Sequence, residues 1–250
     1  MEGLAQHLCS AIKISSPSIN VVYFDGDYSY NIVLPYVAGD IYAVLLASFT
    51  EISCTYRVIQ ALALLGIDTI AILPTVTVAK LGERLELYNQ NIYVMNIDND
   101  IYRLAVLHSS LKLALTLSRG EISRIKKFER ELDMKSVVKE LVDRYFNIVN
   151  QTKSRRQGMP IVAVSKSLLA AGEELMDRGI PVHVIGRKGL EHQQPDIVVY
   201  TSVEEHTVNE YLSLLARRGI RRDDIATIRI NTDPFTAPLY TLIIFYSTLL

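Results

Sequence analysis

The stretch DIYAVLLASFTEISCTYRVIQALALLGIDTIAIL, residues 40–73, gives the clearest indication of the fold. An apolar run over 41–47 ends in a hydroxyl-rich turn over 48–53. A helical pattern follows and closes at Gly66, before a second apolar run over 69–73. This order predicts a strand, a turn, a helix and a second strand.

The turn between the first strand and the helix is where a ligand would bind. Helix N-terminal N–H groups, the positive end of the helix dipole and three hydroxyls converge there, and together they suit a phosphate. Ser and Thr are also the ordinary capping residues of helices. On this stretch alone, capping is the more common role, and both readings stay open.

The rest of the chain repeats the alternation of apolar strands and amphipathic helices. Further strands are predicted at 19–24, 92–95, 160–164, 182–185, 196–201 and 225–230. Helices are predicted at 2–14, 80–88, 102–117, 167–178, 204–218 and 235–249. Nearly all-apolar strands that alternate with helices are typical of parallel sheets covered on both faces. The sequence therefore predicts an α/β fold with three layers, helix–sheet–helix.

A charged, amphipathic segment separates two halves of similar design. Residues 121–157 carry apolar side chains at helical spacing with charges between them, which predicts a connector of two helices. The expected division is a first lobe at 1–120, the helical connector at 121–157 and a second lobe at 158–250.

Composition narrows the class of protein. The chain has 250 residues, 49% of them hydrophobic, and a formal net charge of -1. Nucleic-acid binding proteins carry a basic footprint, so no nucleic-acid partner is expected. Cys9 and Cys54 suggest neither a disulfide framework nor a metal site. No basic-then-apolar leader and no membrane-length apolar run occur, so we expect a cytoplasmic protein with no membrane partner.

The two-lobed layout and three local matches resemble the SIS (sugar isomerase) domain family. Within that family the chain looks most like the bifunctional phosphoglucose/phosphomannose isomerases, with a shortened N-terminus and an altered active site. The family has Ser-x-Ser-Gly-x-Thr after a strand, and here Ser48, Thr50 and Ser53 occupy the hydroxyl positions while Glu51 replaces the glycine. The resemblance implies that these three hydroxyls bind a sugar phosphate.

The second and third matches lie at Ile101–Ala105 and at 230–238. Arg103 fits the family's substrate-facing arginine, although Tyr102 replaces a proline before it. The segment INTDPFTAP fits the family's entry into a final helix, but that helix lacks the family's lysine. His192 is a loose candidate for the family's catalytic histidine. No clear counterpart of its catalytic glutamate occurs, although Glu173 and Glu174 lie nearby.

Three functions follow from the resemblance. The first is a phosphoglucose/phosphomannose isomerase-like protein that acts on sugar phosphates by aldose–ketose isomerisation, without cofactor or metal. The second is a catalytically impaired sugar-phosphate-binding or regulatory protein on the same fold, and the third is a structural SIS partner. Because no base is evident, whether the chain is an enzyme stays open, and weak or absent turnover is expected. A homodimer is also expected, from the family and from the apolar C-terminal helix.

Overall fold

A computed structural model describes residues 2–34, 41–47, 51–118, 122–155, 158–186 and 194–249. The chain forms two compact units, each with its own parallel sheet. Unit 1 comprises Met1–Cys9 and Asn20–Val106, and unit 2 comprises Ser10–Ile19 and Leu107–Leu250. The lobe boundaries at 120 and 157 stay a prediction.

Unit 1 is built around a three-stranded parallel sheet with the order β1-β2-β3. Its strands are β1 (Tyr42–Leu46), β2 (Asp68–Pro74) and β3 (Ile92–Ile97). Its helices are α2 (Gly26–Tyr28), α3 (Ile52–Leu64) and α4 (Thr75–Leu81), with 3-10 turns at Gly82–Tyr88 and Asn99–Ile101 and a π turn at Ser29–Val33. Two of the bounds between the units fall within α1 (Glu2–Ser15) and α5 (Tyr102–Leu117), and the third lies between Ile19 and Asn20.

The strand predicted at 19–24 is wrong. Residues 20–25 form no strand, and Val22, Tyr23 and Phe24 are exposed. An apolar run becomes a strand only where a neighbouring strand takes up its backbone hydrogen bonds, and sequence periodicity does not reveal that neighbour. The run ends at Asp25, whose carboxylate accepts a 2.9 Å hydrogen bond from the Tyr28 N–H and so caps α2.

The two faces of the unit 1 sheet differ. The order β1-β2-β3 with right-handed crossovers places α3 and α4 on one face. On that face Val58, Ile59 and Leu62 of α3 pack in a core with Ala71 and Leu73 of β2. Apolar side chains of the opposite face remain exposed, namely Tyr42, Val44, Ile70, Tyr93 and Met95.

Unit 2 contains a four-stranded parallel sheet with the order β5-β4-β6-β7. Its strands are β4 (Val162–Val164), β5 (Val182–Val184), β6 (Ile197–Thr201) and β7 (Ala226–Ile230). Its helices are α6 (Ser123–Lys126), α7 (Phe128–Glu131), α8 (Met134–Arg155), α9 (Leu169–Asp177), α10 (Glu205–Arg217) and α11 (Ala237–Tyr246). Short 3-10 turns cover Lys166–Leu168, Ser202–Glu204 and Arg222–Asp224.

Helices cover both faces of the unit 2 sheet. On one face Gly172 of α9 lies so close to the sheet that a Cβ there would stand 2.9 Å from the Val164 side chain. On the other, Val208 and Leu212 of α10 pack in a core with Ala163 and Val198. The α/β fold with parallel strands is therefore confirmed, and this sheet shows the three expected layers.

The C-terminal helix differs from its expected role. The sequence suggested that its broad apolar surface would be left for a partner, but α11 packs against α8 and α9, and Leu239, Leu242 and Phe245 are fully buried. The connector likewise forms three helices, α6 to α8, where two were expected. In the part of the chain that the structure describes, no helix has both the length and the apolar character that crossing a membrane requires.

Candidate functional site

The hydroxyl turn predicted to bind phosphate follows β1 in unit 1. Ser48 and Thr50, and also His192, lie outside the described residues. Ser53 lies exposed in the first turn of α3. Glu51 occupies the N-cap position of α3, but its carboxylate makes no capping hydrogen bond. Its backbone carbonyl instead accepts 3.0 Å hydrogen bonds from the N–H and hydroxyl of Thr55.

Tyr102 fixes the start of α5 at the carboxyl edge of the unit 1 sheet. Its hydroxyl donates a 2.8 Å hydrogen bond to the carbonyl of Ile72 in β2. The same hydroxyl accepts a 3.1 Å hydrogen bond from the N–H of Ala47, the residue directly after β1. Ala47 immediately precedes the hydroxyl turn, so Tyr102 links the first residue of α5 to the point where that turn leaves the sheet.

The Tyr102 hydroxyl stays protonated at ordinary pH. Burial raises the pKa of Tyr102 well above its usual value, and this outweighs the smaller lowering by the Ala47 N–H and by the Arg103 charge. A protonated hydroxyl is what the bridge needs, since it must donate to one backbone group and accept from another. No local sequence pattern indicates this role, because both partners of the hydroxyl lie far from Tyr102 along the chain.

Arg103 follows Tyr102 in the first turn of α5, and its side chain is only 2% exposed. A guanidinium keeps its charge when buried, so it needs compensating partners in the protein. In this arrangement Arg103 places a positive charge beneath the surface of unit 1 and does not present its side chain to solvent. The role of Arg103 as a substrate-facing residue stays a prediction.

Glu174, one of two residues near the position expected for the catalytic glutamate, is held in a buried ion pair in unit 2. Its Oε1 accepts a 2.8 Å hydrogen bond from Nε of Arg178, one turn further along α9. The Tyr246 hydroxyl of α11 donates to the same oxygen at 2.7 Å. Glu174 is 1% exposed, so this carboxylate stabilises the packing of α9 on α11 and is not presented as a base to a substrate.

The segment 230–238 anchors the C-terminal helix to the connector. Asp233 pairs with Nε of Arg124 at 2.5 Å, and Thr236 donates a 2.6 Å hydrogen bond to Glu131. The carboxylate of Asp233 also accepts a 3.1 Å hydrogen bond from the Phe235 N–H. These contacts give Asp233 and Thr236 structural roles. The described part of α11 has no basic residue in its last turn.

The described residues form no cluster of metal-ligating side chains. In residues 2–34, 41–47, 51–118, 122–155, 158–186 and 194–249, no group of three or more His, Cys, Asp or Glu side chains could hold a metal ion. The chemistry that these parts of the chain offer is hydrogen bonding by hydroxyls and backbone N–H groups, with the buried charge of Arg103 nearby in sequence.

Comparison with known proteins supports the fold. A solved structure of a protein proposed to be a phosphosugar isomerase, from Salmonella typhimurium LT2, superposes with a TM-score of 0.61. The two chains are 12% identical, and the match covers 97% of this chain and 81% of the other. No family model matches the chain, and no curated protein matches its sequence. At this identity the likeness shows a phosphosugar isomerase-like fold.

Proposed function

We propose that this protein binds sugar phosphates at the carboxyl edge of the unit 1 sheet, as a phosphoglucose/phosphomannose isomerase-like protein. The hydroxyls of Ser48, Thr50 and Ser53 donate to the phosphate in this proposal, and Arg103 adds positive potential from below. The Tyr102 bridge is the observation that carries it. By bonding to Ala47 and Ile72 it ties the start of α5 to the strand ends, where open parallel sheets bind their ligands.

We further propose that isomerase turnover is weak or absent, which is the catalytically impaired alternative. Aldose–ketose isomerisation needs a base to move a proton between adjacent carbons. Glu174 is buried in its pair with Arg178, and α11 lacks the lysine found in the family that this chain resembles. A missing general base costs about 10²–10⁴ in rate, so a poor catalyst is expected even if binding is intact.

Binding is tested by thermal unfolding with glucose, fructose, mannose and glucosamine 6-phosphates. A ligand that binds only the folded state raises the melting temperature, so at least one of the four is expected to raise it. The unphosphorylated sugars serve as matched controls and are expected to have no effect, because they lack the group that the turn holds. No shift with any phosphate would favour the third function, a structural SIS partner without a ligand.

Turnover is tested separately with a coupled assay on fructose 6-phosphate. We expect a rate at least about 10²-fold below the typical enzyme value of about 10 s⁻¹. A rate near that typical value would show that the chain does contain a general base and is a working isomerase.

We also propose a homodimer, now on a different surface from the one expected. One face of the unit 1 sheet carries exposed apolar side chains, namely Tyr42, Val44, Ile70, Tyr93 and Met95, whereas parallel sheets normally have both faces covered. Tyr42 is 81% exposed and Tyr93 68% exposed. Buried tyrosines contribute about 150–250 Å² each, so this face supplies a large part of the roughly 800 Å² per partner of a stable interface.

We propose that this face binds a second copy of the same chain, because the face is apolar and carries little charge that would select a different partner. Sedimentation should show a dimer at micromolar concentration. Ile70→Glu places a charge at the centre of the face and is expected to give a monomer. Leu64→Glu, on the exposed end of α3, is the matched control and should leave the dimer intact. A monomeric wild-type protein, or a dimeric Ile70→Glu variant, would contradict this surface.

A further inference from the structure

Unit 2 contains a second hydroxyl turn. Ser165 and Ser167 come shortly after β4 and are two residues apart, as Ser48 and Thr50 are in the sequence after β1. Ser165 is buried, and Ser167 is half-buried. The repeated order of strand, hydroxyl turn and helix makes this the counterpart, in unit 2, of the turn proposed to bind phosphate in unit 1.

This turn lies at the topological switch point of the unit 2 sheet. With the order β5-β4-β6-β7, the chain leaves β4 toward β5 and leaves β6 toward β7, in the opposite direction. A crevice therefore opens between the carboxyl ends of β4 and β6, and ligands of open α/β sheets bind in such crevices. Ser165 and Ser167 line it from β4, and Thr201 lines it from the end of β6.

The crevice is occupied by the side chain of Glu204. Oε1 of Glu204 accepts a 2.9 Å hydrogen bond from the Ser167 backbone N–H. Oε2 accepts one hydrogen bond from the Ser167 hydroxyl and a second, of 2.9 Å, from the Thr201 hydroxyl. One backbone N–H and two hydroxyls thus converge on two oxygens of one anion, an arrangement of donors that a phosphate oxygen pair would also satisfy.

Glu204 is ionised in this setting. Burial raises the pKa of its carboxyl, but hydrogen bonds from Ser165, Ser167 and Thr201 lower it by more, and the net pKa lies below the usual value. The donors therefore face a negative charge throughout the neutral range. A free phosphate approaching the same donors would be repelled by that charge and would find them already bonded.

From this geometry we infer that the second hydroxyl turn is an oxyanion site whose occupant is the chain's own Glu204 carboxylate. Unit 2 is closed to phosphate and phosphoesters while Glu204 is present and ionised, and it accepts them when the carboxylate is removed. The two units then differ in function although they share a turn of the same design. This inference concerns unit 2 alone, so it stands or falls independently of sugar-phosphate binding in unit 1.

The competing account is that Glu204 only braces the ends of β4 and β6. Both accounts expect Glu204→Ala to unfold more easily, because three donors lose their acceptor. Only the oxyanion account expects inorganic phosphate to accept the hydrogen bonds that the Glu204 carboxylate accepted before the mutation. A readout at the site itself is therefore needed, and the backbone amide of Ser167 provides one.

The test is a titration of the full-length protein with inorganic phosphate, followed by the amide resonance of Ser167. In the wild type this resonance is expected to stay in place up to about 20 mM phosphate. In Glu204→Ala it is expected to shift and saturate with a Kd of a few mM, at least about tenfold tighter than in the wild type, as for a hydrogen-bonded anion. Glu205→Ala is the matched control. It removes the same charge one residue away, from a carboxylate that pairs with Arg229, and should behave as the wild type does.

Three results would overturn the inference. The first is a Ser167 resonance that phosphate leaves unmoved in folded Glu204→Ala, and the second is a wild-type resonance that phosphate moves as readily as in the variant. The third is a shift of equal size in Glu205→Ala, which would mean that net charge alone controls phosphate binding. If Glu204→Ala does not fold, Glu204→Ser also removes the carboxylate and leaves the crevice open, and the same shift is then expected in that variant.

Discussion

Replacing Tyr102 by Phe tests the bridge that organises the carboxyl edge of unit 1. The change removes one oxygen atom and keeps the ring. It leaves the Ala47 N–H without its 3.1 Å acceptor and the Ile72 carbonyl without its 2.8 Å donor. Ala47 and Tyr102 are both almost fully buried, so water does not readily replace either bond.

The size of the effect follows from these two bonds. A typical intramolecular hydrogen bond contributes about 0.5–1.5 kcal/mol, and leaving a buried partner unsatisfied costs about 1–3 kcal/mol. We therefore expect Tyr102→Phe to lower the free energy of unfolding by about 2 kcal/mol. Since Ala47 directly precedes the hydroxyl turn, we also expect weaker binding of any sugar phosphate that the wild type binds.

Urea unfolding followed by circular dichroism measures the first effect. Tyr28→Phe is the matched control, because it removes the same hydroxyl from an exposed ring of unit 1 that lies outside the proposed dimer face. Its free energy of unfolding should stay within about 0.5 kcal/mol of the wild type. If Tyr102→Phe is as stable as Tyr28→Phe, the bridge does not hold the start of α5, and the argument for a site at this edge loses its support.

Three further predictions concern unit 2. The hydrogen bonds that lower the pKa of Glu204 stabilise the fold above the unfolded carboxyl pKa of about 4.3, and this stability is lost as pH falls through the lower folded value. In urea unfolding, the wild type should be more stable than Glu204→Gln at neutral pH and should lose this difference only in acid. A difference in unfolding free energy that stays constant down to pH 3, about one unit below the unfolded pKa, would contradict this. Glu174→Gln leaves the Arg178 charge without its carboxylate and should lower the free energy of unfolding in urea by about 2 kcal/mol. Adding Arg178→Met should recover part of this loss, whereas no recovery would show that the two residues are not coupled. Gly172→Val should lower the free energy of unfolding by about 1–3 kcal/mol or more, and with it the melting temperature, because the new side chain clashes with Val164. Gly179→Val has open space around it, so it clashes with nothing and is strained only by its backbone.

The parts of the fold that local sequence patterns control could be predicted. The α/β alternation, the helix at Glu2–Ser15 and the strands at β1, β2 and β7 follow from hydrophobic period and turn residues alone. The strand expected at 19–24 failed because pairing depends on a neighbour elsewhere in the chain.

The site was harder to predict for the same reason. Tyr102 bonds to backbone groups 30 and 55 residues away in sequence, and Glu204 bonds to a serine 37 residues away. No local period contains such contacts. Burial also changed the role of Glu174, which the sequence places near a catalytic position and the fold places in an ion pair.

The most direct test of the account is a titration with glucose, fructose, mannose and glucosamine 6-phosphates in turn, followed by the backbone amide of Ser53. We predict that this resonance shifts and saturates in the wild-type protein with at least one of them, that the unphosphorylated sugars leave it unmoved, and that the Ser167 amide of unit 2 does not respond to any. Saturable binding that leaves Ser53 unmoved, or no binding of any of the four, would contradict the claim that this protein holds sugar phosphates at the carboxyl edge of the unit 1 sheet.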